Sequence, residues 1–212
     1  MNSTKQKIID VAIQLFNQHG FKNVGLKQIA EQLSISNGHL NYHFKKKDDL
    51  IFCCYQQLNT ELIQILARFK SFPDLAAILE QTTIFYHFQS KYGFFYLDIL
   101  EICRAYPSIG SIFKEHFEQS RQHIEATFSY CVTRGIFQPE PFPKAYHQLA
   151  QTIWQQGVFW LTRQLVLEKD TKDSKDFIQG IIGLCYPYLT EKGLLELKKA
   201  QKDLAIYIKS TK

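Results

Sequence analysis

The sequence contains no C-x-x-C pair, although it carries five cysteines, Cys53, Cys54, Cys103, Cys131 and Cys185. An odd count without ligand or framework spacing supports neither a zinc ribbon nor a disulfide scaffold. No stretch approaches the roughly 18 consecutive apolar residues of a membrane-spanning helix. No secretory pattern opens the chain, because Asp10 and Gln14 interrupt its apolar residues. These absences lead us to expect a soluble, cytoplasmic protein with reduced thiols. Enzyme fingerprints are missing too: there is no G-x-S-x-G, H-E-x-x-H, phosphate-binding loop or dinucleotide motif. The grouping of His116 with Glu115 and Glu118 sits on a polar helix and reads as solvated. No catalytic residue, cofactor or metal is therefore expected. No run alternates with strand period, and no short internal repeat occurs, which leaves an all-α chain.

What is present has helical period almost throughout. The 212 residues are 45% hydrophobic, enough for a sizeable core, and carry a formal charge of +5. That charge is uneven: residues 1–50 hold seven lysines and four acids. A basic first quarter points to a polyanionic partner, against the plainer reading of a solvated surface. Ile8, Ala12, Leu15 and Phe16 recur on one helical face. Gly20 ends that helix, and Phe21 suits the apolar contact that follows a glycine cap. Leu26, Ile29, Ala30 and Leu33 make a second, short stripe with Gly25 as N-cap. Ser34-Ile35-Ser36 is a tight connection, and Ser36 caps a third short helix from Asn37 to about His43. Asp48 and Asp49 favour the start of a fourth helix, whose stripe runs through Ile51, Cys54, Leu58, Leu62, Ile65 and Phe69. Prolines punctuate the rest, with Pro73 at a helix start, Pro107 between helices and Pro139 to Pro143 in a loop. Further helices are expected near 73–91, 93–105, 108–134, 143–168, 175–187 and 190–208.

A short helix, tight turn and short helix form a helix-turn-helix, which places its second helix in the major groove. Leu40 and Phe44 would pack inward with Ile35 onto Ile29 and Leu33. The opposite face is left to Asn37, His39, Asn41, Tyr42 and His43, groups suited to base edges and phosphates. Gly38 lets the helix start approach DNA. Lys45, Lys46, Lys47 and Lys27 supply positive charge. His39 and His43 have a spacing that can hold a metal, but no neighbouring Glu or Cys completes such a site.

Residues 5–51 resemble the DNA-binding domain of the tetracycline-repressor (TetR) family of bacterial regulators. The resemblance rests on Ile8, Ala12, Leu15-Phe16, His19-Gly20-Phe21, Ile29-Ala30, Leu33, Ser36, Gly38, Leu40, Tyr42-His43-Phe44, Lys47 and Leu50. It implies DNA contacts from Lys27, Ser36, Asn37, Gly38, His39, Asn41, Tyr42, His43 and Lys47, with Lys47 at the family's phosphate position. Two departures stand out. The family's Thr near the start of the second helix is replaced by Gly25-Leu26, which loses a hydroxyl contact to phosphate. Its usual Gly-Thr-Leu-Tyr becomes Gly38-His39-Leu40-Asn41, and Asn41 can bridge adenine N6 and N7.

The rest of the chain is aromatic, with Phe85, Tyr86, Phe88, Tyr92, Phe94, Phe95 and Tyr96 close together and Trp154, Phe159 and Trp160 later. A helical core explains any one of them. The resemblance also implies a small-molecule pocket, with Phe88, Phe95, Tyr96, Ile99, Phe128 and Trp154 as candidate lining, suited to an apolar or aromatic effector. Glu101 and Arg104, one turn apart, read as a surface ion pair or as groups orienting an effector. Vicinal Cys53 and Cys54 read as structural thiols rather than redox sensors. The helix near 143–168 is apolar on more than one face, so it needs two partners. Gly157, Trp160 and Leu161, with Gly180 and Gly183, are the candidate dimer interface, and a two-fold dimer would suit a pseudo-palindromic operator. The expectation is therefore an N-terminal helix-turn-helix domain, residues 1–47, followed by a larger helical ligand-binding and dimerisation domain, residues 48–212. Its expected function is that of a ligand-responsive homodimeric repressor. The competing reading is a DNA-binding structural protein without an effector.

Overall fold

In the computed structural model, which describes residues 3–68, 74–168 and 174–210, the chain is helical from its first turn. Helix α1 (Thr4–His19) begins where the Ser3 hydroxyl accepts the Gln6 N–H at 3.3 Å. Its apolar face, including Ile8, Ala12, Leu15 and Phe16, is buried. It ends at Gly20, whose φ of 78° suits a residue without a Cβ and whose N–H donates to the Phe16 carbonyl. Phe21 is buried immediately after, as the sequence predicts. Gly25 precedes α2 (Leu26–Gln32), and Ser36 precedes α3 (Asn37–His43). Between them the Ile35 N–H donates to the Ala30 carbonyl at 3.0 Å, and Ser34 occupies a left-handed conformation.

Helix α4 (Lys47–Arg68) carries Asp48 and Asp49 in its first turn. There the Asp49 carboxylate accepts the Lys46 N–H at 3.3 Å. Ile51, Cys54, Leu58 and Leu62 of its expected stripe are buried and Ile65 is half-buried, while Phe69 and Pro73 lie outside the described residues. Next come α5 (Leu75–Lys91), α6 (Gly93–Leu97), α7 (Ile99–Ala105) and α8 (Pro107–Thr133). After the proline loop follow α9 (Ala145–Val166), α10 (Lys175–Cys185) and α11 (Glu191–Ser210). Among the described residues there is no strand, only an isolated bridge between Phe137 and Leu189.

One expected helix, near 93–105, is two. The break falls at Asp98, whose carboxylate accepts the Phe21 backbone N–H and so caps the turn that follows α1. The Asp98 N–H still donates to Phe94 O at 3.2 Å, and its carbonyl accepts from Ile102 N–H at 2.9 Å, so the break leaves no orphaned backbone group there.

The described chain divides into two compact units: residues 1–64 with 91–111, and residues 65–90 with 112–212. The first therefore extends past the 47/48 boundary expected from sequence. Its extension has a physical cause. Asn17 donates to the Lys91 carbonyl and accepts the Phe94 N–H, both at 2.8 Å, and Phe16 packs on Phe94 with ring centroids 5.4 Å apart. Tyr106 donates to Asp48 at 2.9 Å. The second unit has its own core, with Leu79, Phe128, Ile136, Phe137, Tyr146 and Ile178 buried. There α11 approaches the loop after α8 so closely at Gly193 that a side chain would run into the Ile136 carbonyl.

Candidate nucleic-acid interface and apolar cavity

Helix α3 is only seven residues long, so its ends need outside help. The Ser36 hydroxyl accepts the His39 N–H at 3.1 Å and fixes the N-terminus. Leu40 and Phe44, fully or almost fully buried, fix the inner face. Ile35 and Leu33 are half-buried beside them. The outer face is left bare: Asn37, Gly38, His39, Asn41 and Tyr42 are exposed, Tyr42 at 82%, and His43 is half-buried. His43 packs against its neighbours, with its ring centroid 5.6 Å from His39 and 5.2 Å edge-on from Tyr42. An open space surrounds the missing side chain of Gly38 apart from the Ser36 hydroxyl, 3.9 Å from an ideal Cβ. Among the described residues no three His, Cys, Asp or Glu gather as a metal site.

The lysines divide. Lys27 is exposed, with only a loose 3.8 Å approach to Glu31. Lys45 and Lys46 are exposed. Lys47, expected to meet phosphate, is turned toward its own unit. Its ammonium donates to the Phe21 carbonyl and to the Lys22 carbonyl, and lies 5.8 Å and 5.7 Å from the ring centroids of Phe16 and Phe21. Burial lowers its pKa, and Asp48 opposes that shift. Lys47 thus ties the start of α4 to the turn after α1. Glu101 likewise differs from expectation. It pairs with Lys22 rather than with Arg104, and both members are well exposed, so the pair adds little.

The second unit contains an apolar cavity of about 200 Å³. Of the candidate lining residues, Phe128 and Trp154 are on its wall. Phe88 is buried in the same unit but off the wall. Phe95, Tyr96 and Ile99 belong to the first unit, where Phe95 packs on Tyr55 at 5.1 Å between centroids. The aromatic run that looked continuous in sequence is cut between residues 90 and 91. Sequence reading missed Phe85 and Ile181 on the wall, and also the polar Ser120, His123 and Thr127 of α8. The last three stand at i, i+3 and i+7, a single helical face that could have been noticed. Cys131 and Cys185 also line the cavity, and burial pushes their thiols up to about 11 and about 12, which keeps them protonated. Cys54, in the other unit, is raised by burial as well, in line with a structural thiol.

The residues expected at a dimer interface mostly face inward. Gly157 is buried against Phe85, and its carbonyl accepts the Gln89 amide at 2.8 Å. Trp160 packs edge-on against Phe177 at 5.3 Å, and Leu161 is buried. The space a Gly180 side chain would take is filled by the Gln156 amide, and only Gly183 opens on free space. Trp160 and Leu161 therefore serve the packing of α9 inside its own unit. The side chains that α9 leaves in water are Gln148, Thr152, Gln155, Phe159, Arg163, Leu165 and Val166, among which Phe159, Arg163 and Val166 stand at i, i+4 and i+7.

A helix-turn-helix with an exposed polar second helix, joined to a larger helical unit, defines a DNA-binding regulator by class. The family follows from comparison with known proteins. Residues 8–52 match the bacterial regulatory proteins of the tetR family, and residues 55–197 match the TetR bacterial transcriptional repressor model. The chain belongs to this family, whose members are non-enzymatic DNA-binding transcriptional regulators. It is 36% identical over 70 residues to an HTH-type transcriptional regulator of Staphylococcus aureus strain USA300. That match spans 33% of this chain and 36% of the relative. A TetR-family transcriptional regulator from Marinobacter aquaeolei VT8 shares the fold, with a TM-score of 0.78 and 24% identity over 95% of this chain and 98% of that one. The ketosteroid transcriptional regulator of Mycobacterium tuberculosis is also similar, with a TM-score of 0.65 and 13% identity over 90% and 97%. No described helix is long and apolar enough to cross a membrane.

Proposed function

We propose that the chain is a homodimeric, ligand-responsive repressor, released from a pseudo-palindromic operator by a small, largely apolar effector. The carrying observation is one chain holding both a bare polar recognition face on α3 and an apolar cavity in its second unit. On this reading His39 and Asn41 contact base edges, with Asn37, Tyr42 and His43 beside them. Ser36, Gly38 and Lys27 meet or admit the phosphates, as do Lys45 and Lys46. Lys47 positions α4 instead. The dimer face is the water-facing side of α9 and α10 with the turn that follows α10, where Phe159, Val166 and Tyr186 are half or more exposed and Gly183 leaves room for a close approach. The reading carries with it a cytoplasmic location. Release requires the effector to bind two conformations with different affinity.

Selection of genomic fragments by the purified protein at near-physiological salt tests it. Enrichment of one inverted-repeat motif is the expected result. Binding with no motif, fading as salt rises, would leave only phosphate attraction and overturn sequence-specific regulation.

A further inference from the structure

We infer that the cavity of the second unit takes a neutral, largely apolar molecule bearing one hydroxyl group, held along the α8 wall at Ser120, His123 and Thr127. The inference deepens the effector reading above and rests on it for its regulatory meaning. Three observations converge. First, among the described residues no Asp, Glu, Lys or Arg lines the cavity. A carboxylate or ammonium would surrender its hydration without meeting an opposite charge, which is costly. Second, the polar side chains of the wall are Gln81 and Thr82 on α5 and Ser120, His123 and Thr127 on α8, the last three on one helical face. The Thr127 hydroxyl donates to the His123 carbonyl at 2.9 Å, and across the cavity the Thr82 hydroxyl donates to the Ile78 carbonyl at 2.8 Å. Both have spent their protons on their own helices and retain only accepting lone pairs toward a ligand.

Third, His123 is on the cavity wall, and its Nε2 is buried with no hydrogen-bond partner among the described residues. A ring nitrogen left unpaired out of water is an uncommon and costly arrangement. Burial lowers the His123 pKa, which favours the uncharged ring. In a neutral imidazole Nε2 either donates or accepts, depending on the tautomer. A hydroxyl can do both, so it is the ligand group that satisfies His123 in either form. It can donate to Thr127 when it accepts from the ring. An ether or a quaternary ammonium can match at most one of these states. Size adds a bound, since about 200 Å³ falls below the roughly 300–1,000 Å³ of drug-sized pockets.

The test is a matched probe series titrated against the full chain: 4-hexylphenol, hexylbenzene, 4-hexylbenzoate and (4-hexylphenyl)trimethylammonium. Fluorescence reports binding, because one of the two tryptophans, Trp154, lines the cavity. The phenol should bind about tenfold more tightly than the hydrocarbon, the size of one good hydrogen bond. Both ions should bind more weakly than the phenol by at least that factor. His123→Phe should bring phenol and hydrocarbon within about twofold of each other while leaving hydrocarbon binding in place. His123→Gln should keep part of the preference. Equal binding of phenol and hydrocarbon to the unaltered chain overturns the inference, as does stronger binding of either ion or no binding at all. None of these depends on a variant folding. A phenol preference that survives His123→Phe overturns the role of His123. Repeating the titration with operator DNA separates the two proposals. Phenol binding that leaves DNA affinity unchanged removes the effector role alone. DNA release by an ion removes the hydroxyl class alone.

Discussion

Helices α3 and α8 both carry histidines among hydroxyl and amide groups, yet they arrange them in opposite senses. On α3 and at its C-cap the apolar side chains Leu40 and Phe44 are buried, while His39, Asn41 and Tyr42 stand in water. On α8 the apolar Phe128 and the polar His123 and Thr127 face one cavity together. The first arrangement leaves hydrogen-bonding groups hydrated and ready for a polar surface. The second leaves a few polar atoms in apolar surroundings, where each unmet one costs more. A surface such as α3 can read many partners by changing side chains at little cost to folding. A wall such as that of α8 ties ligand choice to the stability of the unit.

The largest effect that could break this contrast is on folding. Leu40→Ala should cost about 2–5 kcal/mol in chemical denaturation, because the side chain is fully buried. Tyr42→Ala, on the same helix, should change stability by no more than about 0.5 kcal/mol while weakening operator binding. Similar losses for both would mean that α3 has no free face. A smaller effect is expected from Asn41→Ala, about 1–3 kcal/mol of discrimination lost at one operator position, read from competition between operator variants. Unchanged discrimination would remove Asn41 from base reading.

The lysines sharpen the comparison further. Lys45→Ala and Lys46→Ala should each lower the slope of log affinity against log salt by about 1. Lys47→Ala should leave that slope alone and instead cost about 1 kcal/mol of stability, through its bonds to the Phe21 and Lys22 carbonyls. A reduced slope for Lys47→Ala would return that residue to the phosphate contacts.

The sequence was more legible where local chemistry decides than where packing between distant segments decides. Caps at Ser36 and Gly20 and the inward pair Leu40 and Phe44 depend on neighbours within a few residues, so their spacing carries them. Lys47 could not be read in that way, since its carbonyl partners are 25 and 26 residues away. The cut through the aromatic run was hidden for the same reason: Asn17 draws Lys91 and Phe94 into the first unit from 74 and 77 residues off. Glycine spacing on α9 and α10 signals a close approach, but not whose. Gly157 proved to admit Phe85 and Gly180 to admit Gln156, both from the same chain. His123 went unnoticed because a lone histidine on an apolar face looks alike whether its nitrogen is satisfied or not.

The smallest predicted effect concerns that histidine and pH. Burial lowers the folded-state pKa of His123 below its ordinary value of 6.5, and His116 shifts in the same direction, burial outweighing the opposing influence of Glu115. The unfolded chain therefore takes up these protons first as pH falls. Below 6.5 the unfolded state binds more protons than the folded one, so stability drops until the folded pKa is passed, and above 6.5 neither group contributes a slope. Denaturation midpoints measured from pH 8 to pH 5 should fall on the acid side, and His123→Phe should flatten part of that fall while His116 maintains the remainder. A saturating hydroxylated ligand should deepen that fall and carry it to lower pH. Tying up Nε2 and excluding water makes protonation of the folded state harder still, but the ligand also holds the folded state by mass action at every pH. The diagnostic quantity is therefore the slope difference between the unaltered chain and His123→Phe without ligand. Equal slopes would mean that His123 is as easily protonated folded as unfolded, and the neutral-ring argument for a hydroxyl partner would lose its electrostatic support.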